Sequence, residues 1–292
     1  ESNNNSLSES GGNETSSTYE FTSRSELDTA VDLWISDESA AIEKYGDINT
    51  WDVGAITYFS SLFRDKTTFN SDISNWDVSS GTDFEYMFSN ASAFNQDIGD
   101  WDVSKGTDFA GMFHEAYKFN QYIGDWDVSS GSDFNDMFSD AKSFNQDIGD
   151  WDVSSGTDFS QMFANWEGSS FNQDIGGWDV SSGTNFYGMF LSHGNSLFNQ
   201  DIGSWDVSNG TIFDSMFEGA TEFNQDIGDW DISNASDLGE MFAEATSFNQ
   251  DISGWDLSSA LVTDSMLRGA TSFNQDISEW DVSSVQKFGA MF

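Results

Sequence analysis

The sequence predicts an α/β repeat fold: a parallel β-solenoid with one short strand and one short helix in each 25-residue turn, and a helical cap at its N-terminal end. Three observations predict this fold. Tryptophan recurs at a nearly fixed spacing, the residues between tryptophans repeat one pattern, and each copy holds one helix-like and one strand-like run of apolar residues. A fixed period of this length indicates stacked structural units.

The chain divides into three parts. Residues 1–20 are rich in Ser and Asn and predict a flexible tail or a linker between subunits. Residues 21–50 predict the helical cap, because apolar residues lie at i, i+3, i+4 and i+7 and Gly46 is a typical helix stop. These apolar residues are Leu27, Ala30, Val31 and Trp34. Residues 51–292 predict a solenoid of about ten repeats, of which the last is incomplete.

Positions within a repeat are numbered from its tryptophan, and the shared pattern is W-D-V-S-S-G-T-D-F-x-x-M-F-x-x-A-x-x-F-N-Q-D-I-G-D. The period is 25 residues except in repeats 5 and 6, which have 27. Repeats 1 to 10 begin at Trp51, Trp76, Trp101, Trp126, Trp151, Trp178, Trp205, Trp230, Trp255 and Trp280.

One half of each repeat predicts a short helix. Positions 9, 12, 13 and 16 are apolar and fall on one helical face, and Thr or Ser at position 7 is a typical N-cap. In repeat 2 the N-cap would be Thr82, and the apolar face would be formed by Phe84, Met87, Phe88 and Ala91.

The other half of each repeat predicts a short strand. Ile98, Trp101 and Val103 fit the L-x-x-L-x-L frame of leucine-rich repeats, so the solenoid is expected to be leucine-rich-repeat-like. Alternation along the strand would turn Trp101 and Val103 inward and Asp102 outward. Phe94 and the ladder of Asn at position 20 of each repeat, for example Asn95, would fill and hydrogen-bond the turn.

The string "SFNQDIGDWDVSS-x-TDF-x-x-MF" resembles the repeats of BspA-like leucine-rich-repeat surface proteins, a family of secreted or lipid-anchored proteins. The resemblance covers residues 51–292. It implies a role in surface display, adhesion or aggregation, and it supplies no catalytic residues.

One departure from that family recurs along the chain. The family commonly has Val at position 6, as Val285 does, whereas six repeats carry Gly there together with Phe at position 9. We expect the two changes to compensate, because the volume lost with the side chain at position 6 would be filled by the larger side chain at position 9. The glycines are Gly81, Gly106, Gly131, Gly156, Gly183 and Gly210.

Composition excludes several classes of protein. The chain has 51 acidic residues against nine Lys and Arg, a net charge of −42, so no basic surface is present for nucleic acid or an anionic membrane. Cysteine is absent, which excludes disulfides, thiolate metal sites and Cys nucleophiles. No apolar run reaches the roughly 18 residues of a membrane span, so no transmembrane segment is predicted.

Catalysis is not predicted. A general acid and base need carboxylates in two different environments, whereas near-identical repeats give near-identical environments. His114 and His193 are the only histidines, and neither has a nucleophile signature nearby. The chain is therefore expected not to be an enzyme.

The repeated aspartates at position 2 are candidate calcium ligands. In a solenoid they would stack about 4.8 Å apart, with a second carboxylate two residues earlier in some repeats, and Ca²⁺ takes 6–8 oxygen ligands. The alternative interpretation is a solvated acidic face without specific metal binding. The candidates are Asp77, Asp102, Asp127, Asp152, Asp179, Asp206, Asp231, Asp256 and Asp281, with Asp100, Asp150 and Asp229.

The two long repeats break the symmetry at the same place, with the insertions "ANWEGSS" at 164–170 and "LSHGNSL" at 191–197. Because the repeats are adjacent, the insertions should form one bulge that carries Trp166 and His193. An exposed Trp can stack on a sugar or a protein partner, although loop insertions are also often tolerated variation. Asn-x-Ser/Thr sequons, which predict glycosylation in a eukaryotic secretory source, occur at Asn13, Asn90, Asn209 and Asn234.

The predicted function is that of a non-enzymatic extracellular or cell-surface structural repeat protein acting in display, adhesion, or cell–cell or matrix contact. Its expected partners are surface or matrix proteins, glycans, or further copies of itself. The alternative is a subunit of an extracellular filament assembled end to end and stabilised by Ca²⁺. The sequence ends at Phe292 within a repeat and stacked repeats normally need a cap, so we expect either that the native protein continues or that this end docks onto another subunit.

Overall fold

A computed structural model describes residues 18–194 and 196–292. Two helices lie near its start, α1 (Arg24–Ser36) and α2 (Glu38–Tyr45), and a short 3₁₀ segment follows at Ile48–Thr50. Most of the predicted tail lies outside the described residues. Within the described chain, no helix is long and apolar enough to cross a membrane.

The predicted N-terminal helix is confirmed, as two helices rather than one. Ser23 begins α1 by accepting a hydrogen bond from the Glu26 N–H, and Asp37 ends α1 and caps α2. Gly46 ends α2 with a φ of 81°, which a glycine adopts at little cost. The predicted face of Leu27, Ala30, Val31 and Trp34 is buried.

This helical pair packs on the first repeat. The Trp34 ring meets the Trp51 ring edge-on with centroids 5.9 Å apart, and its Nε1 donates to the Ser71 hydroxyl at 2.9 Å. The chain before α1 also contacts repeat 1, because Glu20 and Asp52 form a parallel β-bridge. These contacts cover the apolar start of the stack.

The prediction of a leucine-rich-repeat β-solenoid, with a strand and a helix in every repeat, is wrong. From Trp51 onward the described residues form neither helices nor strands. Each repeat is a series of turns, and single parallel bridges join neighbouring repeats, for example Asp83 to Asp108. The repeats therefore stack in register without forming a sheet.

Backbone conformation explains why no helix forms in the repeats. Tyr86 and Asn90 have φ values of 52° and 55°, in the left-handed region, which interrupts a right-handed helix every four residues. The Tyr86 N–H consequently donates to the Ala110 carbonyl of the next repeat at 2.7 Å. The predicted N-cap role of position 7 is also wrong, since the Thr107 hydroxyl donates to the Thr82 carbonyl of the previous repeat at 3.1 Å.

The predicted strand is replaced by two tight turns. The Trp101 N–H donates to the Ile98 carbonyl at 3.2 Å, and the Gly106 N–H donates to the Val103 carbonyl at 2.7 Å. These groups are therefore used within one repeat instead of in a sheet ladder. The predicted orientation is nevertheless confirmed, because Trp101 and Val103 are buried while Asp102 is exposed.

Columns of aromatic rings hold the repeats together. Phe rings at positions 9, 13 and 19 stack on their equivalents in neighbouring repeats, and so do several of the position-1 tryptophans, with centroids 5.3–6.4 Å apart. Within repeat 4, Phe138 also stacks on Phe144 at 4.0 Å. Such pairs stabilise a core beyond the burial of their apolar area.

Polar columns support the aromatic ones. The Asn145 N–H donates to the Asn120 side-chain oxygen of the previous repeat at 2.9 Å, and Gln146 Nε2 donates to the Asn120 carbonyl at 2.9 Å. The predicted hydrogen bonding by Asn at position 20 is thereby confirmed. These bonds satisfy main-chain groups that sheet pairing would otherwise satisfy.

The predicted compensation between positions 6 and 9 is also confirmed. A Cβ added to Gly131 would lie 2.6 Å from Cζ of Phe134, so the Phe ring occupies the space of the missing side chain. Repeat 8 shows the alternative solution, with the buried pair Ala235 and Leu238 at the same two positions.

Candidate functional site

The two insertions form one bulge, as their adjacency predicts. The bulge comprises residues 164–170 and 191–197, of which Asn195 is outside the described residues. Parallel bridges join Asn165 to Ser192 and Ser169 to Ser196, so the insertions lie side by side. The Asn165 and Ser192 side chains are buried at the base of the bulge.

Close backbone contact brings two rings together on top of the bulge. A Cβ on Gly194 would lie 2.4 Å from the carbonyl carbon of Glu167, so only glycine allows the insertions to approach this closely. The Trp166 and His193 ring centroids are 4.6 Å apart with an interplanar angle of 31°. Trp166 is 54% exposed and His193 is also exposed, so the pair presents an aromatic platform to solvent.

Neighbouring repeats fix the backbone of this platform. Asp140 is buried, and its Oδ1 accepts a hydrogen bond from the Trp166 N–H at 3.0 Å. On the other side, the Ser192 N–H donates to the Glu218 carbonyl at 2.7 Å. Gly219 accommodates this contact, because a Cβ there would lie 1.7 Å from the Ser192 carbonyl oxygen.

A small cleft of about 180 Å³ adjoins the platform. Two carboxylates reach it: Glu218, which is half-buried, and Glu244, which is exposed and pairs with the Arg268 guanidinium at 2.9 Å. Hydroxyl groups complete the polar lining. The lining residues are Ser192, His193, Gly194, Glu218, Gly219, Thr221 and Glu244.

Next to the platform, the chain binds one of its own lysines. The Lys142 ammonium lies 4.6 Å from the centre of the Tyr117 ring and pairs with the Glu167 carboxylate. The hydrogen bond between the two charged groups raises the pKa of Lys142 and lowers the pKa of Glu167. An aromatic face and a carboxylate thus hold a cation immediately beside Trp166.

The predicted calcium ligands serve another purpose. Every position-2 Asp from Asp52 to Asp281 accepts a hydrogen bond from the N–H two residues later, at 2.9–3.1 Å. In repeat 3, hydrogen bonds from the Ser104 hydroxyl and N–H hold the pKa of Asp102 below its usual range. This Asx-turn role was missed at the sequence level, although the repeated Asp-x-Ser spacing is its signature.

These aspartates do not assemble into a metal site. Among the described residues, no group of three or more His, Cys, Asp or Glu side chains is arranged to hold a metal ion. The second carboxylates, Asp100, Asp150 and Asp229, are exposed at the ends of their repeats. Since Ca²⁺ requires 6–8 oxygen ligands, the residues present do not fit the predicted ion.

A set of half-buried carboxylates was not anticipated from the sequence. Burial, followed by the neighbouring charge of Asp237, raises the pKa of Asp214 to about 6. Burial likewise raises the pKa of Asp133 and Asp136. These groups are costly to ionise in the folded chain, unlike the aspartates that close turns.

The other residues singled out in the sequence, His114 and the asparagines of the sequons, lie against groups of neighbouring repeats. His114 Nδ1 lies 3.4 Å from the Ser89 hydroxyl, but Ser89 is only 4% exposed, so its hydroxyl is not accessible to a substrate. Of the sequons, Asn13 lies outside the described residues. The side-chain amides of Asn90, Asn209 and Asn234 each donate a hydrogen bond to a neighbouring repeat.

The last repeat exposes Phe288 and Phe292, at 50% and 73%.

Comparison with known proteins identifies the repeats. The sequence model of a family described as "Mycoplasma protein of unknown function, DUF285" matches the chain over residues 35–130, 107–194 and 191–292. It is the model for BspA-like repeats, so that part of the predicted resemblance is confirmed, whereas the leucine-rich-repeat part is not. No curated protein and no solved structure matches the chain.

Proposed function

The chain belongs to the DUF285 family, and we propose that it is a non-enzymatic repeat protein of the cell surface that displays a binding site to other surfaces. The bulge of repeats 5 and 6 is this site. Contact with matrix components or neighbouring cells through the bulge is its function.

The observation that carries the proposal is the exposed platform of Trp166 and His193. The other repeat tryptophans, which begin the repeats, are at least nine-tenths buried. A large exposed aromatic side chain held rigidly on a surface is typical of a binding contact.

The rest of the molecule supports display. Stacked aromatic rings and hydrogen-bonded polar columns run through successive repeats, so the chain forms a regular support for the bulge. The chain as a whole is strongly acidic, with a net charge of −42, which favours solubility and disfavours nonspecific apolar contact.

The proposal is tested with a regular variant that lacks the bulge. Residues 164–170 are replaced by Ser-Asp-Ala-Lys-Ser, the sequence of 139–143, and residues 191–197 by Glu-Gly-Ala-Thr-Glu, the sequence of 218–222. Beads coated with the native chain are expected to attach to components of an array of matrix proteins and glycans, and beads coated with the variant are expected to lose that attachment.

Circular dichroism and thermal melting of the variant provide the folding control, because ordinary 25-residue repeats occupy the replaced segments. Equal attachment by native and regular chains would contradict the bulge as the binding site. The absence of attachment by the native chain to any arrayed component would contradict the proposed function itself.

A further inference from the structure

We propose that the platform of Trp166 and His193, with its adjoining cleft, binds the basic side chain of an arginine- or lysine-rich polypeptide partner. This inference rests on the proposed function, because it names the chemistry of the partner that the bulge would contact. Three observations carry it: the rings, the carboxylates of the adjoining cleft, and the lysine that the chain already holds nearby.

The rings supply one half of the recognition. Trp166 and His193 lie with centroids 4.6 Å apart and are inclined by 31°, and more than half of Trp166 is open to solvent. The indole face is the most favourable aromatic surface for a cation, and a guanidinium can also stack on it through its planar group.

Carboxylates supply the other half. Glu167 directly follows Trp166 in the chain, and Glu218 and Glu244 line the cleft beside His193. Glu167 and Glu244 are each already paired with a basic side chain of the chain itself, whereas Glu218 forms no ion pair among the described residues and is the carboxylate left to a partner. Guanidinium–carboxylate pairs are strong and directional, which selects basic side chains over neutral ones.

A similar arrangement of an aromatic ring, a carboxylate and a cation lies next to the platform within the chain itself. Lys142 lies between the Tyr117 ring and the Glu167 carboxylate. Among the described residues there are three cation–π contacts, and none of them uses Trp166. The platform therefore offers a partner the contact that Tyr117 and Glu167 make internally.

Net charge decides between a basic polypeptide and a glycan. A chain of net charge −42 attracts a basic partner from a distance and accelerates its association, whereas a neutral sugar gains nothing from this field and an acidic one is repelled. The field alone is nonspecific. Specific binding must therefore depend on the rings.

The test uses fluorescently labelled octa-arginine and octa-citrulline, in which the urea side chain has nearly the same shape without the charge. Fluorescence anisotropy at about 150 mM NaCl measures the affinity of each peptide, because surface charges are screened beyond about 8 Å at that ionic strength. The native chain is expected to bind octa-arginine at least tenfold more tightly than octa-citrulline.

Two variants of unchanged net charge locate the binding. Trp166→Ala is expected to weaken octa-arginine binding by about tenfold. Tyr122→Ala is the matched control, because Tyr122 is an exposed aromatic residue distant in sequence from the bulge, and it is expected to leave the affinity unchanged. Equal affinities for all three proteins would overturn the proposal, since binding would then be a general effect of charge.

The outcomes separate this inference from the proposed function. If attachment in the bead assay needs the bulge but octa-arginine binding is independent of Trp166, the partner class is wrong while the bulge remains the site. Binding of a neutral glycan that is lost in Trp166→Ala would also overturn the basic partner. If neither assay depends on the bulge, both proposals fail.

Discussion

Two structural situations of the repeat aspartates cannot be separated by a count of acidic residues. At position 2 the carboxylate is exposed and accepts hydrogen bonds from its own turn, as Asp231 does from Ser233. Asp214 is half-buried among other carboxylates, and its pKa is raised to about 6. The spacing Asp-x-Ser could have predicted the first situation. The half-buried situation of Asp214 depends on which residues the stacked repeats bring together, and no local sequence pattern predicts those neighbours.

Asp214 gives a prediction with a defined dependence on pH. Because its folded-state pKa lies near 6, above the ordinary 3.8, its contribution to stability is full below about pH 3.8 and is lost as the pH rises through 6. Asp214→Asn, which resembles the protonated acid, is therefore expected to stabilise the fold at pH 7.5 by about 1 kcal/mol after allowance for solvent screening. The gain should disappear near pH 3.5 in thermal melts.

Asp231→Asn is the matched control for this prediction, since its carboxylate is exposed and hydrogen bonds from Ser233 lower its pKa. Removing that charge is expected to bring no comparable gain at pH 7.5. A stabilisation by Asp214→Asn that is the same at both pH values would show that the buried charge is not its cause.

At the scale of elements, the sequence predicts an element well where that element depends only on residues close together in the chain. Helix α1 follows from its apolar spacing, which lies within one short stretch of chain. In the repeats the sequence wrongly predicts a helix, because turns can bury the residues at positions 9, 12, 13 and 16 as well as a helix can. The left-handed backbone at position 11 distinguishes the turns from a helix. Most residues there are not glycine, as Tyr86, Asp136 and Gln161 show, so residue type does not reveal this conformation. Hydrogen bonds to the next repeat select that conformation, and those bonds are not local.

Compensated packing between positions 6 and 9 can be tested by a double-mutant cycle. Gly131→Ala places a Cβ 2.6 Å from Cζ of Phe134 and is expected to cost about 1–3 kcal/mol of unfolding free energy. Phe134→Leu alone leaves a gap in a stacked column. The double variant reproduces the natural pair Ala235 and Leu238, so the two changes should be coupled by at least 0.5 kcal/mol.

Urea unfolding of the four proteins provides the measurement. Because neighbouring repeats all contain Phe at position 9, some stacking energy is lost in both Phe134→Leu variants and cancels in the cycle. Additive losses would mean that Gly131 and Phe134 do not compensate each other.

At the scale of the molecule, the repeats stack along one axis and carry a net charge of −42. End-to-end filaments stay a prediction from the sequence. Mutual repulsion between chains of this charge is expected to keep them as single particles at low salt. Negative-stain electron microscopy and light scattering at 20 and 500 mM NaCl test this expectation. Filaments at 20 mM NaCl would contradict it and favour the alternative role as a filament subunit.

The same charge sets the expected response to cations. Screening of 51 carboxyl side chains should raise the melting temperature as salt is added. Because the position-2 aspartates already accept hydrogen bonds in their turns and no metal-binding group is present among the described residues, Ca²⁺ and Mg²⁺ are expected to stabilise the chain equally at equal concentration. Differential scanning calorimetry with 5 mM of either chloride, and with NaCl of matched ionic strength as the control, measures this response.

A specific ion site would instead discriminate between Ca²⁺ and Mg²⁺, because Mg²⁺ demands a tighter octahedral shell than Ca²⁺. A rise confined to Ca²⁺ would therefore restore the calcium hypothesis that the geometry of the aspartates argues against.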